Sequence, residues 1–299
     1  NKTMQQDLFN RTIEFIPGPK VVNVASVPKR SPFRYPGGKT WFVPNFRKWV
    51  SSQKAKPQLL VEPFVGGGII SLTAAFEDLT DKVLMVELDE QIAAVWQTII
   101  DGNAKWLADK IIKFQLTKEN LFAEIDAKKT DIKHIAFQTI LKNRTFHGGI
   151  LANGAGISKN GENGKGIQSR WYPKTLARRI ELIDYVLDKI EFKHEDGLKI
   201  ISDYRNNKNT IFFIDPPYTV GGKKAGKRLY KYCDLDHDNL FKLCKNIKGD
   251  FIMTYDNAEE VKNLARQNEF EFREMPMKNT HNSEMTELVI GRDLSWMNF

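Results

Sequence analysis

Thr210-Ile211-Phe212-Phe213-Ile214 runs directly into Asp215-Pro216-Pro217-Tyr218. An apolar run without alternation reads as a strand buried on both faces, and the two prolines cannot continue it. A carboxylate, a rigid backbone and an aromatic ring thus arrive together at the carboxyl end of a strand, where open α/β sheets bind their ligands. That combination suits a flat substrate carrying an amino group. A strand ending in Asp-Pro is equally an ordinary turn signal, so the surrounding chain has to decide.

Upstream, Leu59-Leu60-Val61 reads as a short strand, Glu62-Pro63-Phe64-Val65-Gly66-Gly67-Gly68 as a turn, and Ile69 to Phe76 as a helix. Val83-Leu84-Met85-Val86 is a second buried strand ending in Glu87-Leu88-Asp89, and a helix follows from Gln91 to about Ile100. Strand, glycine turn, helix, strand is a βαβ unit. Ahead of it, Trp41, Phe42, Phe46, Trp49 and Val50 share one face of a helix that opens after Tyr35-Pro36-Gly37-Gly38-Lys39. Downstream, the α/β rhythm resumes with a strand at Glu191 to His194, a helix from Gly197 to Tyr204, and the strand before Asp215. Helices at Leu240 to Lys245 and Glu259 to Gln267, a strand at Asp250 to Thr254 and a terminal strand at Glu287 to Ile290 complete the pattern. Between the two halves, helical patterns around Trp106 to Phe114, Ile135 to Lys142 and Lys174 to Leu187, with a glycine-rich stretch, read as an inserted recognition domain. The expected division is therefore a polar arm over residues 1–30, a catalytic part over 31–100, the insertion over 101–191 and a second catalytic part over 192–299.

The chain has 299 residues, 41% hydrophobic and 27% charged, which is ordinary globular composition and excludes wholesale disorder. Lys+Arg 45 against Asp+Glu 37 leaves a net charge of +8, compatible with a polyanionic partner or with solvated lysines. Cys233 and Cys244 are too few for a disulfide framework or a four-ligand zinc site, which points to a reducing compartment. No apolar leader or membrane-length run interrupts the chain, so the expectation is a cytoplasmic protein with no membrane partner and no metal.

In a βαβ unit the glycines let backbone approach a ligand, and an acid ending the second strand binds ribose hydroxyls. Glu87 stands where that acid is expected, although a glycine turn plus a solvated acid would look the same. The turn lacks Gly-x-Gly-x-x-Gly spacing, which weakens a case for NAD or FAD. Gly37-Gly38-Lys39-Thr40 resembles the tail of a phosphate-binding loop, but Phe33 stands where its first glycine is required. Near Gly156 and Gly161 the lysine is replaced by Glu162, so that match fails as well.

Phe33-Arg34-Tyr35-Pro36-Gly37-Gly38-Lys39, Glu62-Pro63-Phe64-Val65-Gly66-Gly67-Gly68 and Asp215-Pro216-Pro217-Tyr218, in this order, resemble the Dam-type (D12 class, alpha group) DNA adenine-N6 methyltransferases. The resemblance covers about residues 31–292. It implies a Rossmann-like seven-stranded S-adenosylmethionine-dependent methyltransferase fold with one antiparallel strand and an inserted, mainly helical DNA-recognition domain. It further implies S-adenosylmethionine as methyl donor and double-stranded DNA as partner. Carried over by position, Tyr35, Gly38 and Lys39 resemble the donor pocket's opening segment, Glu62, Phe64, Gly66, Gly67 and Gly68 its glycine turn, Glu87 the ribose ligand and Asp196 the acid beside the donor's adenine. The family often has Asp at the position of Glu87. Asp196 reads equally as the N-cap of the helix after it.

Adenine N6 is a poor nucleophile because its lone pair is delocalised into the ring. Acceptors for both N6 protons would localise that pair. In this resemblance Asp215 and the Pro216 carbonyl supply the acceptors, Pro217 stiffens the turn and Tyr218 stacks on a base flipped from the duplex. For DNA, Asn143, Arg144 and His147 resemble the family's Asn-Arg segment, and Lys159, Lys165 and Arg170 belong to a loop expected to face DNA. Lys223, Lys224, Lys227 and Arg228 interleave with aromatics after Tyr218, a composition suited to phosphate contact or to a solvated loop. The expected role is a modification enzyme of bacterial or phage origin, solitary or part of restriction-modification, with a monomer possible. Rival readings are methylation of RNA adenine or of a protein glutamine, the latter disfavoured by Asp rather than Asn at 215, or a noncatalytic DNA-binding protein.

Overall fold

The computed structural model describes residues 27–34, 38–146, 166–217, 235–278 and 284–298. Its centre is a seven-stranded sheet in the order β3-β2-β1-β4-β5-β7-β6. The strands are β1 (Leu59–Glu62), β2 (Lys82–Glu87), β3 (Ile190–His194), β4 (Thr210–Ile214), β5 (Asp250–Asp256), β6 (Glu271–Lys278) and β7 (Glu284–Gly291). β1 to β5 pair in parallel, while β7 is antiparallel to both β5 and β6. This is the expected class, with its one reversed strand.

β4 lies in the middle and every residue of it is buried, which is why its sequence carries no alternation. Its side chains still alternate in space. Ile211 and Phe213 enter a core on one face with Leu60, Val83 and Met85, whereas Phe212 and Ile214 enter a second core with Val61, Leu84 and Val86. The first core is roofed by α1 (Val43–Ser51), α2 (Ile69–Phe76) and α3 (Glu90–Thr98), and the second by α8 (Gly197–Tyr204) and the helices His237–Lys245 and Glu259–Gln267. Each fully buried Phe or Leu in these layers contributes roughly 1.5–3 kcal/mol. By the same alternation Asp215, the next residue, belongs to the face of the first core, where Lys39 arrives just ahead of α1.

Strand order reverses between β1 and β4. The crevice outside their carboxyl ends is where such a sheet places a ligand, and it is lined by the turn after β1 and by Asp215-Pro216-Pro217 after β4. Between β2 and β3 run α4 (Ala104–Lys113), α5 (Lys118–Asp126), α6 (Ile132–Thr145) and α7 (Pro173–Leu182). They do not build a core of their own: Leu107, Ile111, Phe137, Ile140, Leu176 and Ile180 join the first core of the sheet. Two elements escape the residue pattern. α5 is short and largely exposed, with only Leu121 buried. β6 contains Pro276 and was not read as a strand; it is the sheet edge, where proline is tolerated.

Candidate active site

The turn after β1 is held by hydrogen bonds over Val65 to Gly68. Val65 N–H donates to the Val86 carbonyl at 2.9 Å, and Gly68 N–H to the Val65 carbonyl at 2.9 Å. Glu87 Oε1 accepts from Gly66 N–H at 3.0 Å, while Oε2 accepts from Leu88 and Asp89 N–H at 3.0 and 3.1 Å. Trp96 Nε1–H donates to the Gly66 carbonyl at 2.9 Å, and the Ser31 hydroxyl donates to the Gly67 carbonyl. Gly68 adopts φ +71°, and a Cβ there would lie 2.7 Å from the Trp96 ring. Glycine is therefore required for both backbone and space.

Glu62 ends β1 at 3% exposure, and its Oε1 accepts from Ser71 N–H at 3.1 Å and Ser71 Oγ–H at 2.6 Å. It faces the first turn of α2 and braces the glycine turn from behind. Burial pushes its carboxyl up to about 8, with Ser71 opposing and the charges of Asp215 and Glu87 adding. Burial likewise raises Glu87 to about 7 against its three amide hydrogen bonds. Phe64 packs against the second core, and a Cβ on Gly197 would approach its ring to 2.7 Å. Asp196 is exposed and caps α8, accepting from Leu198 N–H at 3.0 Å.

Asp215 Oδ1 accepts from Thr254 Oγ1–H at 2.9 Å and lies 3.4 Å from Lys39 Nζ. Among the described residues Oδ2 takes no hydrogen bond. One oxygen is thus anchored and the other is left without a partner among the described residues. Burial raises the Asp215 carboxyl, partly offset by Lys39 and Thr254. The 5%-exposed Lys39 ammonium, expected in the donor pocket, also lies 3.5 Å from Glu287 Oε2. Pro216 is buried and Pro217 half-buried. Gly38 is exposed beside Lys39.

Asn143 and Arg144 were expected at the DNA, and the structure turns both inward. Asn143 Oδ1 accepts from Arg34 N–H at 2.8 Å while its Nδ2–H donates to the Arg34 carbonyl at 2.7 Å. Arg144, 7% exposed, donates to the Pro32 carbonyl at 3.0 Å. Arg179 adds a bond to the Ser31 carbonyl at 3.1 Å. These side chains clamp the segment that leads into Lys39 onto α6 and α7. Burial, followed by the charges of Arg179, Arg34 and Arg170, lowers Arg144 to about 9. Arg170 is half-buried in the turn Gly166–Arg170. Tyr35, Tyr218, His147, Lys159, Lys165, Lys223, Lys224, Lys227 and Arg228 lie outside the described residues.

Trp96, Ser31, Thr254 and Glu287 were not singled out from sequence. Trp96 and Thr254 sit inside apolar stretches where only the folded partner reveals a role.

The sequence pattern of the family described as D12 class N6 adenine-specific DNA methyltransferase matches residues 35–281. The chain belongs to this family. Membership makes the protein an adenine-specific DNA methyltransferase whose methyl donor is S-adenosylmethionine. A curated relative, Type II methyltransferase M.MjaIII of Methanocaldococcus jannaschii, is 20% identical, with 71% of this chain and 77% of that protein covered. Solved structures with similar folds include a SAM-dependent methyltransferase from Agrobacterium tumefaciens, 12% identical with a TM-score of 0.40, covering 85% of this chain and 61% of the other. The rRNA methyltransferase aviRa from Streptomyces viridochromogenes is 11% identical with a TM-score of 0.36, covering 85% of each chain.

The crevice suits this donor on its own terms. Glu62, Glu87 and Asp215 gather buried carboxylates whose protonation is favoured by their surroundings, and a cationic sulfonium would relieve that excess. Glu87 Oε1 keeps one lone pair after accepting from Gly66. Among the described residues there is no group of three or more His, Cys, Asp or Glu placed to hold a metal, and no helix long and apolar enough to cross a membrane.

Proposed function

We propose that the protein methylates N6 of an adenine flipped out of double-stranded DNA, with Asp215 as the residue that aligns and activates the amino group. The observation that carries this reading is the asymmetry of the Asp215 carboxylate. Oδ1 is fixed by Thr254 and Lys39, so Oδ2 is the acceptor left for an N–H of the substrate. The Pro216 carbonyl follows in a chain stiffened by Pro217 and offers the second acceptor. With both N6 protons engaged, the nitrogen lone pair turns toward the donor, which supplies a methyl group on a cationic sulfur. As the N–C bond forms, one N6 proton is lost toward Asp215 or the solvent beyond it. Tyr218 is assigned to stacking on the base, and Phe64, Gly66, Gly67, Gly68, Glu87 and Asp196 to the donor's methionine, ribose and adenine portions. Asp196 can serve both as cap and as contact, since its cap uses Oδ1.

The net charge of +8 supports a polyanionic substrate. Arg170 and the cations of the segments around 147–165 and 221–234 are proposed to contact phosphates. Asn143 and Arg144 are proposed to act by holding the segment 31–34, not by touching DNA.

The test is transfer of labelled methyl to unmethylated duplex DNA, followed by nucleoside analysis. N6-methyladenine is the expected product, and Asp215→Asn should lower kcat by on the order of 10³-fold with donor binding retained. Near-normal N6-methyladenine formation by that variant would refute the assignment.

A further inference from the structure

We propose that Ser31 is a positioning residue for donor binding: its hydroxyl fixes the Gly67 peptide of the glycine turn, and α6 and α7 set its place by holding the segment 31–34. This rests on the reading that the turn after β1 receives the donor. Gly66, Gly67 and Gly68 stand in a row, and glycine has more backbone freedom to lose than any other residue. A ligand that settles on such a turn loses affinity to the cost of ordering it unless the protein has ordered it beforehand. Gly66 is ordered from within the βαβ unit, its N–H by Glu87 of β2 and its carbonyl by Trp96 of α3. Gly67 is ordered from outside that unit, because its carbonyl accepts from Ser31 Oγ–H. Gly68 N–H, at the other end of the same peptide, is tied to the Val65 carbonyl. Of the four amides from Val65 to Gly68, only Gly67 N–H takes no hydrogen bond among the described residues, which leaves it for an acceptor on the ligand.

The hydroxyl is itself aimed. Ser31 Oγ accepts from Phe33 N–H at 3.1 Å, so its own proton is directed to Gly67. Phe33 is buried with its ring centroid 5.9 Å from that of Trp96, the side chain that holds Gly66. The backbone of the segment is gripped by the helices between β2 and β3. Arg179 of α7 donates to the Ser31 carbonyl at 3.1 Å and Arg144 of α6 to the Pro32 carbonyl at 3.0 Å, while Asn143 takes both polar groups of the Arg34 backbone. Residues 31–34 are thus a strap: one side is fastened to α6 and α7, and the other delivers a hydroxyl to the glycine turn. The order of Gly67 therefore depends on side chains far from it in sequence that do not touch the turn through any of these bonds.

The experiment measures S-adenosylmethionine binding by calorimetry without DNA, and steady-state methylation of duplex DNA, for wild type, Ser31→Ala, Arg179→Ala, the double variant and Gly68→Ala. Ser31→Ala should weaken donor binding about fivefold, the loss of one neutral hydrogen bond, and raise the donor KM in step. Its kcat at saturating donor and its KM for DNA should stay within about twofold of wild type, a split that a general loss of structure would not give. Arg179→Ala, which frees the Ser31 carbonyl, should weaken the donor about threefold alone and by less than about 1.5-fold on top of Ser31→Ala, since it acts through that serine. Unchanged donor affinity in Ser31→Ala, even with a lowered melting temperature, overturns the proposal, as does an Arg179→Ala effect that multiplies in full in the double variant. Gly68→Ala separates this from the reading beneath it. If Gly68→Ala weakens the donor and Ser31→Ala does not, the role of Ser31 alone falls; if neither does, the placement of the donor on this turn falls.

Discussion

Replacing Glu62 with Gln should make the protein more stable in alkali than the parent, by an amount the structure sets. Glu62 is buried, hydrogen-bonded only to Ser71, and held up to about 8 in the folded state. In the unfolded chain it titrates at the ordinary value of about 4.5. A carboxyl raised by folding adds stability that is complete at pH below its unfolded value and is lost as pH climbs through the folded one. Between pH 6 and about 8 the unfolded state has released this proton and the native state has not. Each unit then removes about 1.4 kcal/mol, giving roughly 3 kcal/mol lost by pH 9. Glutamine keeps an oxygen for Ser71 and cannot ionise, so this slope vanishes. Glu287, raised to about 7, tilts the stability of parent and variant alike and cancels in the difference, whereas Glu87, whose charge adds to the rise of Glu62, cancels only in part. The assay is urea unfolding of the donor-free protein at pH 6, 7, 8 and 9. The difference between variant and parent should grow by about 3 kcal/mol from the first to the last. Parallel curves would show that Glu62 is already ionised at pH 6 and that its burial is compensated by something other than Ser71.

Gly68→Ala should destabilise the protein by about 1–3 kcal/mol in chemical denaturation and raise the donor KM, because φ is +71° and the new methyl meets the Trp96 ring. Thr254→Val removes the hydrogen bond that favours the ionised Asp215, so the acid limb of its pH–rate profile should move to higher pH. Arg144→Ala should lower thermal stability by about 2 kcal/mol, since the Pro32 carbonyl loses its partner in a buried site. The salt dependence of DNA binding by that variant, measured by titration at several ionic strengths, should keep the parental slope, whereas Arg170→Ala should flatten it by about one.

The sheet was readable wherever strands were buried on both faces, because β1, β2 and β4 have no alternative use for such apolar runs. The glycine turn and Asp215 were readable for a different reason: their residue types are dictated by backbone and charge. β6 was hidden because edge strands relax the rules that identify central ones, as Pro276 within it shows. Lys39 and Arg144 were readable as important and unreadable in direction. A lysine four residues ahead of α1 carries no signal of Asp215, and only the packing of α1 against β4, with Phe42 stacked on Phe213, brings the two together. The Asn143–Arg144 pair resembles a DNA contact in sequence, yet which side of α6 meets the segment 31–34 is fixed by tertiary burial. Glu287 carried no local signal, since its meaning depends on strands brought together from distant parts of the chain.

The helices between β2 and β3 share their apolar interior with the sheet. Exchange of residues 101–191 as a cassette between related enzymes would therefore leave mismatched side chains beneath β1 and β2. Altered sequence preference should arise more readily from changes at exposed positions of that region than from transplanting it whole, and chimaeras cut at its ends should suffer in yield before they differ in target.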